Sequence, residues 1–258
     1  MYQNYIFDLY GTLIDINTDE WCDELWEKMS FFYAYKGAHY TPEELNSEYG
    51  RLVEAEKKAV RKKHPDFEVI DIKIEKVFKK LFTQKGVKAT KAEVLNIAAA
   101  FRCFSTKYIK LYDGVIDLLD SLKSKGKKIY LLSNAQRVFT ENELNMFGLT
   151  PYFDGICISS DEECSKPDAN YYKALFDRYG LEKSESIMIG NDFRSDIEGA
   201  HDFGIDSLYI HQSISPDVVE KNLKSNYKIM DGVVFKIRVF ILKLERVWNG
   251  RNYLCNAG

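Results

Sequence analysis

Cysteine, proline and histidine are scarce in this chain of 258 residues. The five cysteines (Cys22, Cys103, Cys157, Cys164, Cys255) are odd in number and nowhere spaced C-x-x-C, which argues for reduced thiols over a disulfide framework or a zinc site. The four histidines, His39, His64, His201 and His211, form no metal-ligand spacing and read as surface or packing residues. Neither sign of charge dominates: 36 Lys and Arg stand against 39 Asp and Glu, a net charge of -3. A nucleic-acid groove would need a basic excess, and a solvating tail an acidic tract. No segment approaches the ~20 apolar residues of a membrane helix. The N-terminus runs into Tyr5-Ile6-Phe7 without the basic flank or apolar core of a signal peptide, so a cytoplasmic chain is expected. Three common signatures are also missing: G-x-x-x-x-G-K-[ST], G-x-S-x-G and G-x-G-x-x-G.

What is there suits an ordinary globular protein with a sizeable core, at 45% hydrophobic and 29% charged residues. Asn4 to Leu9 reads as a buried strand carrying Asp8, followed by a turn through Gly11. From about Thr18 to Tyr108 amphipathic helices take over, about four in number. Thr41-Pro42-Glu43-Glu44 is an N-cap, a proline at the first helical position and an acidic first turn. Ile70, Ile74, Val77, Phe78 and Leu81 mark a helix ended by Gly86, and Val94, Ile97, Phe101, Phe104 and Tyr108 mark another.

After Asp113-Gly114 helix and strand alternate: helices Val115 to Lys125, Gln136 to Phe147, Asn170 to Tyr179 and Ser195 to Phe203, with strands Lys128 to Leu132, Gly155 to Ile158, Ser186 to Ile189 and Ser207 to Ile210. Short apolar strands separated by helices imply a parallel sheet covered on both faces. The expected fold is α/β: a doubly wound, Rossmann-like core (1–16 and 110–258) interrupted by an α-helical cap (17–109). Val233 to Trp248 reads as a terminal helix docked on the core, with a membrane-surface helix as the alternative.

In open α/β sheets ligands bind at the carboxyl ends of strands. Four strand ends here carry polar residues: Asp8-Leu9-Tyr10-Gly11-Thr12-Leu13; Ser133-Asn134; Lys166-Pro167; and Asn191-Asp192 with Asp196 one turn beyond. Singly, each has a dull explanation as a turn, a helix cap or a surface charge. Together, at the ends of successive strands, they form a set.

That set resembles the four motifs of the haloacid dehalogenase superfamily. Asp8 to Leu13 looks like the first motif, usually D-x-D-G-T; Ser133 resembles the second, Lys166 the third, and Gly190-Asn191-Asp192 with Asp196 the fourth. A helical insert after the first strand looks like the superfamily's small cap. The resemblance implies a Mg2+-dependent phosphatase acting on a small phosphate monoester, with no nucleic-acid or membrane partner, as a monomer or homodimer. It casts Asp8 as the nucleophile, with Tyr10 and Lys166 as further catalytic groups. Gly11, Thr12, Ser133, Asn134 and Lys166 would hold the phosphate; Asp8, the Tyr10 carbonyl and Asp192 would hold Mg2+, with Asp196 behind. The chemistry fits on its own terms. A carboxylate attacks an anionic phosphate only if a cation screens the repulsion, and Mg2+ needs few protein carboxylates. Attack by Asp8 would split one hard displacement into two easier ones through an aspartyl-phosphate.

Two positions depart from the phosphatase pattern. Tyr10 stands where a second aspartate usually acts as acid and base, and a phenol is a poor base at neutral pH. Asn191 stands where an aspartate is common. The superfamily's metal-free 2-haloacid dehalogenases share both features, and Tyr172 also matches their pattern. Such enzymes grip substrate with an arginine early in the cap, however, and here none precedes Arg51. Two carboxylates without a cation would also repel an anionic substrate. A phosphotransferase using the same residues, and a catalytically weak binding or regulatory module, are the remaining alternatives.

Overall fold

The computed structural model describes residues 2–241. Its main sheet has six strands in the order β5-β4-β1-β6-β7-β8: β1 (Asn4–Phe7), β4 (Lys128–Ser133), β5 (Gly155–Ile158), β6 (Ser186–Gly190), β7 (Asp206–Ile210) and β8 (Tyr227–Ile229). Every pairing in it is parallel. Side chains alternate faces along each strand. Tyr5, Phe7, Ile129, Leu131, Ile187 and Ile189 join one apolar cluster, while Ile6, Tyr130, Leu132 and Met188 join another on the opposite face. Helix α5 (Val115–Ser124) covers the first face through Leu118, Leu119 and Leu122, and α8 (Ala169–Tyr179) covers the second through Tyr171, Tyr172 and Leu175. The sheet is doubly wound.

Four helices follow the first strand: α1 (Asp23–Tyr35), α2 (Pro42–Lys63), α3 (Ile74–Gln84) and α4 (Lys91–Ser105). Thr41 caps α2 by accepting from Glu44 N, and Arg61, Lys62 and Lys63 in its last turn complement the helix dipole. Thr90 and Glu93 form a reciprocal capping box on α4. The four helices share an apolar cluster that also takes in Phe139, which belongs to the core helix α6 (Arg137–Met146). Phe139 stacks on Phe101, with ring centres 6.1 Å apart. Burying such a side chain contributes about 2–3 kcal/mol toward holding the helical layer on the sheet.

Several expectations need correction. The opening strand ends at Phe7, and the Leu9 carbonyl instead accepts from Leu13 N and Ile14 N in a tight turn. Ile70 precedes α3 and pairs as an isolated bridge with Cys164. Tyr108 is not helical: α4 stops at Ser105, and Tyr108 lies in β3 (Thr106–Leu111), antiparallel to β2 (Ile14–Thr18). This two-stranded ribbon joins the helical layer to the sheet. The expected helix from Ser195 begins earlier, as a π-helix over Phe193–Glu198, before α9 (Gly199–Phe203). Strand β8 was not anticipated. Residues 235–241 are helical, with Val234, Ile237 and Ile241 buried in the first apolar cluster, so the start of the expected terminal helix docks on the core; the rest of Val233 to Trp248 lies outside the described residues, as does Cys255. The four described cysteines are unpaired, and no described helix is long and apolar enough to cross a membrane.

Candidate active site

Strand β1 lies between β4 and β6, so their carboxyl ends bring the sequence motifs to one place. Asp8 N donates to the Ile189 carbonyl at 2.9 Å, tying the residue after β1 to β6. The turn beyond it requires glycine at position 11 for two reasons. Its φ is +84°, and a Cβ there would lie 2.3 Å from Asn191 Nδ2. Thr12 Oγ1 donates to Asn191 Oδ1 at 3.3 Å, so Gly11 and Thr12 of the first motif are keyed to Asn191 of the fourth.

Lys166 is the centre of the arrangement. Its Nζ donates to Asp8 Oδ1 and to Asp196 Oδ1, both at 2.7 Å, and the residue is 2% exposed. Asn134 holds the lysine backbone reciprocally: Lys166 N donates to Asn134 Oδ1 at 2.8 Å, and Asn134 Nδ2 donates to the Lys166 carbonyl at 2.9 Å. Asn134, expected to bind phosphate directly, thus spends both polar atoms on placing the lysine. Ser133 differs. Its hydroxyl is fully buried and has no hydrogen-bond partner among the described residues, and an unsatisfied buried hydroxyl is costly unless a ligand oxygen meets it.

The fourth motif is held by the π-helix, a geometry that often marks functional sites. Asp192 Oδ1 accepts from Arg194 N and Ser195 N, and Tyr172 donates its hydroxyl to the Ser195 and Asp196 carbonyls. Asp196 Oδ2 accepts from Asp192 N at 2.9 Å, so both its oxygens are bound by protein donors. A side chain at Gly190 would strike that carboxylate.

Tyr10 turns its side chain elsewhere. Its hydroxyl donates to Glu143 on α6 and lies 3.0 Å from Thr140 Oγ1. Glu143 in turn accepts from Arg102 Nε on α4 at 2.6 Å, and the guanidinium lies 5.5 Å from the centre of the Tyr10 ring. Burial and the Glu143 charge raise the phenol pKa further. Sequence spacing gave no sign of Arg102, Thr140 or Glu143, which lie far along the chain from Tyr10. Nearby, burial raises the pKa of Glu20 against the opposing pull of Arg102.

The electrostatics follow from charge counting. Asp8, Asp196 and one ammonium sum to -1 in a buried place. Burial alone would discharge Lys166, but the two carboxylates outweigh it and raise its pKa. Burial, with Asp8 adding to it, pushes the Asp196 carboxyl up to about 7 despite the opposing ammonium. A carboxyl raised in the folded state stabilises the fold at low pH, and that contribution is lost as pH climbs from the unfolded value near 4 toward 7. In EDTA, the melting temperature is therefore expected to fall between pH 5 and pH 8, and Asp196→Asn to flatten that fall. An unchanged slope in the variant would refute it.

Among the described residues no group of three or more His, Cys, Asp or Glu is arranged to hold a metal ion. Mg2+ does not need one, since it binds through one or two carboxylates plus substrate phosphate and water. Asp8 and Asp192 each keep one carboxylate oxygen without a hydrogen bond to a described residue, and the Tyr10 carbonyl accepts none. These donors, beside a cluster of net charge -1, suit such an ion.

The loop between α2 and α3 is tied to the core beside Lys166 and Gln136. Asp168, two residues past Lys166, accepts from Glu68 N and Val69 N of the loop between α2 and α3. Asp71 of that loop accepts from Ser159 Oγ and Gln136 Nε2. Asp8 is left 7% exposed and Asp196 0%.

The profile of the haloacid dehalogenase-like hydrolases matches residues 2–204. A pyrimidine 5'-nucleotidase of Streptococcus pneumoniae is 27% identical over 213 residues, 81% of this chain and 83% of that protein. A pyrophosphatase of Bacillus velezensis is 23% identical over 75% of this chain and 76% of its own length. Among solved structures, a phosphatase of Thermococcus onnurineus superposes with a TM-score of 0.58, at 17% identity over 93% of this chain and 98% of its own, a likeness of fold.

Proposed function

The chain belongs to the haloacid dehalogenase-like hydrolase family, and from that premise we propose that it is a Mg2+-dependent phosphatase using Asp8 as nucleophile on a small phosphate ester. The observation that carries this reading is the Lys166 ammonium, buried and 2.7 Å from both Asp8 and Asp196. The substrate phosphate would present its oxygens to Lys166 and to the unpartnered Ser133 hydroxyl, so positioning and charge stabilisation coincide where phosphoryl transfer needs them. Asp8 then attacks phosphorus, the ester oxygen leaves, and water cleaves the aspartyl-phosphate to free Asp8 and phosphate. Mg2+ held by Asp8, the Tyr10 carbonyl and Asp192, with Asp196 behind them, would screen the repulsion between nucleophile and phosphate. Asn134 and Tyr172 act by holding Lys166 and the π-helix in place. The nucleotide and pyrophosphate in the names of two relatives make small phosphate compounds the substrates to try first.

A second reading, a metal-free 2-haloacid dehalogenase, draws on Tyr10 and on Arg102 over its ring. Against it, the guanidinium is already committed to Glu143. One screen separates them, offering the purified chain p-nitrophenyl phosphate beside L-2-chloropropionate, with Mg2+ and with EDTA. Phosphate release that needs Mg2+ and stops in EDTA is the expected result. Chloride release persisting in EDTA would establish the dehalogenase, and silence on both substrates would count against catalysis.

A further inference from the structure

We infer that this site selects substrates by their leaving group: it takes phosphate from groups that depart as stable anions, namely phosphoanhydrides, acyl phosphates and aryl phosphates, and turns over alkyl phosphates slowly. The inference rests on the phosphatase reading and narrows its substrate class. Its ground is the way Tyr10 is held. The position two residues after the nucleophile is where a proton donor would stand, but here the hydroxyl donates to Glu143 and lies 3.0 Å from Thr140, with the ring beside Arg102. Glu143 is itself fixed by Arg102 at 2.6 Å, so groups from α6 and α4 together hold the hydroxyl at α6.

The other described groups around Asp8 are engaged. Two of the three Lys166 ammonium N–H bonds go to Asp8 and Asp196, and the third, with the Ser133 hydroxyl, serves the phosphate oxygens; both Asp196 oxygens accept, and the Thr12 hydroxyl donates to Asn191. His39 and His201 are exposed, His64 sits on Glu163 and His211 on Tyr209. Leaving-group chemistry then decides the rate. As Asp8 attacks, its P–O bond forms and the bond to the leaving oxygen breaks, with the electron pair going to that oxygen. A carboxylate leaves readily, its acid having a pKa near 4, and so does phosphate, with a second pKa near 6. An alkoxide, comparable with hydroxide from water at about 15.7, needs a proton during bond cleavage. Without a donor that step loses about 10^2- to 10^4-fold. The second step, water on the aspartyl-phosphate, is common to all substrates.

The test is a leaving-group series on the wild-type chain with Mg2+: acetyl phosphate, pyrophosphate, aryl phosphates from nitrophenols up to phenol, and glycerol phosphate. The expected kcat/KM falls with each less acidic leaving group, by ~10^2-fold or more from p-nitrophenyl phosphate to the alkyl ester. Tyr10→Asp should restore the alkyl ester by roughly 10^2-fold while moving p-nitrophenyl phosphate only a few-fold. Phosphate release at similar rates across the wild-type series would overturn the inference and leave the phosphatase reading standing. Such a flat series turned steep by Glu20→Gln would also overturn it, by assigning the proton to Glu20. If no member releases phosphate, the phosphatase reading itself fails.

Discussion

Asp8→Asn is expected to abolish phosphate release, with a loss on the order of 10^4-fold or more. The amide keeps the size of the carboxylate, and its oxygen can still accept from Lys166 Nζ where Asp8 Oδ1 now does at 2.7 Å. What it lacks is a negative oxygen able to attack phosphorus. The substitution also takes the cluster of Asp8, Asp196 and Lys166 from a net charge of -1 to zero, so an anionic ligand meets less repulsion. Calorimetric binding of inorganic phosphate should therefore persist or tighten while turnover disappears. A variant that still hydrolyses p-nitrophenyl phosphate within tenfold of wild type would show that position 8 is not the nucleophile.

Lys166→Met should damage both stability and rate. It leaves two carboxylates facing each other without their cation, at 7% and 0% exposure. Removing one member of a buried ion pair costs about 3–5 kcal/mol, or roughly 10 °C of melting temperature in a chain of this size. Activity should drop at least ~10^2- to 10^3-fold, the cost of deleting a donor aimed at developing charge. The ionic origin of the stability loss has its own signature, because adding Asp196→Asn to Lys166→Met should recover part of it. Additive losses in the double variant would mean that packing, not charge, explains the effect.

Much of this was readable from residue order because geometry does the sorting. Parallel strands buried on both faces appear as short apolar runs, and their carboxyl ends fall side by side, so Asp8, Ser133, Lys166 and Asp196 are gathered by the sheet itself. The local cap at Thr41 announced one of the four inserted helices. Where the reading failed, local spacing pointed the wrong way. Phe101, Phe104 and Tyr108 keep helical spacing across the end of α4, and only the pairing of Thr106–Leu111 with β2 makes that segment a strand. Ile14-Asp15-Ile16-Asn17 was too short an alternation to announce its partner 90 or more residues away.

Side-chain direction was the other blind spot. Nothing in the order of residues tells that the Tyr10 hydroxyl turns to Glu143, or that Asn134 serves Lys166 before it serves a ligand. Those contacts come from helices and strands brought together only by tertiary packing. For Tyr10, expected as a catalytic group, they hold the hydroxyl at Glu143 and leave its carbonyl without a donor among the described residues.

The central claim is a covalent bond between phosphorus and the carboxylate at position 8. Borohydride quenching during turnover of p-nitrophenyl phosphate reduces an acyl phosphate to the alcohol, so peptide mass spectrometry should find homoserine in place of Asp8 and at no other aspartate. Steady phosphate release with an unmodified Asp8, or with the reduced residue at another position, would contradict the account.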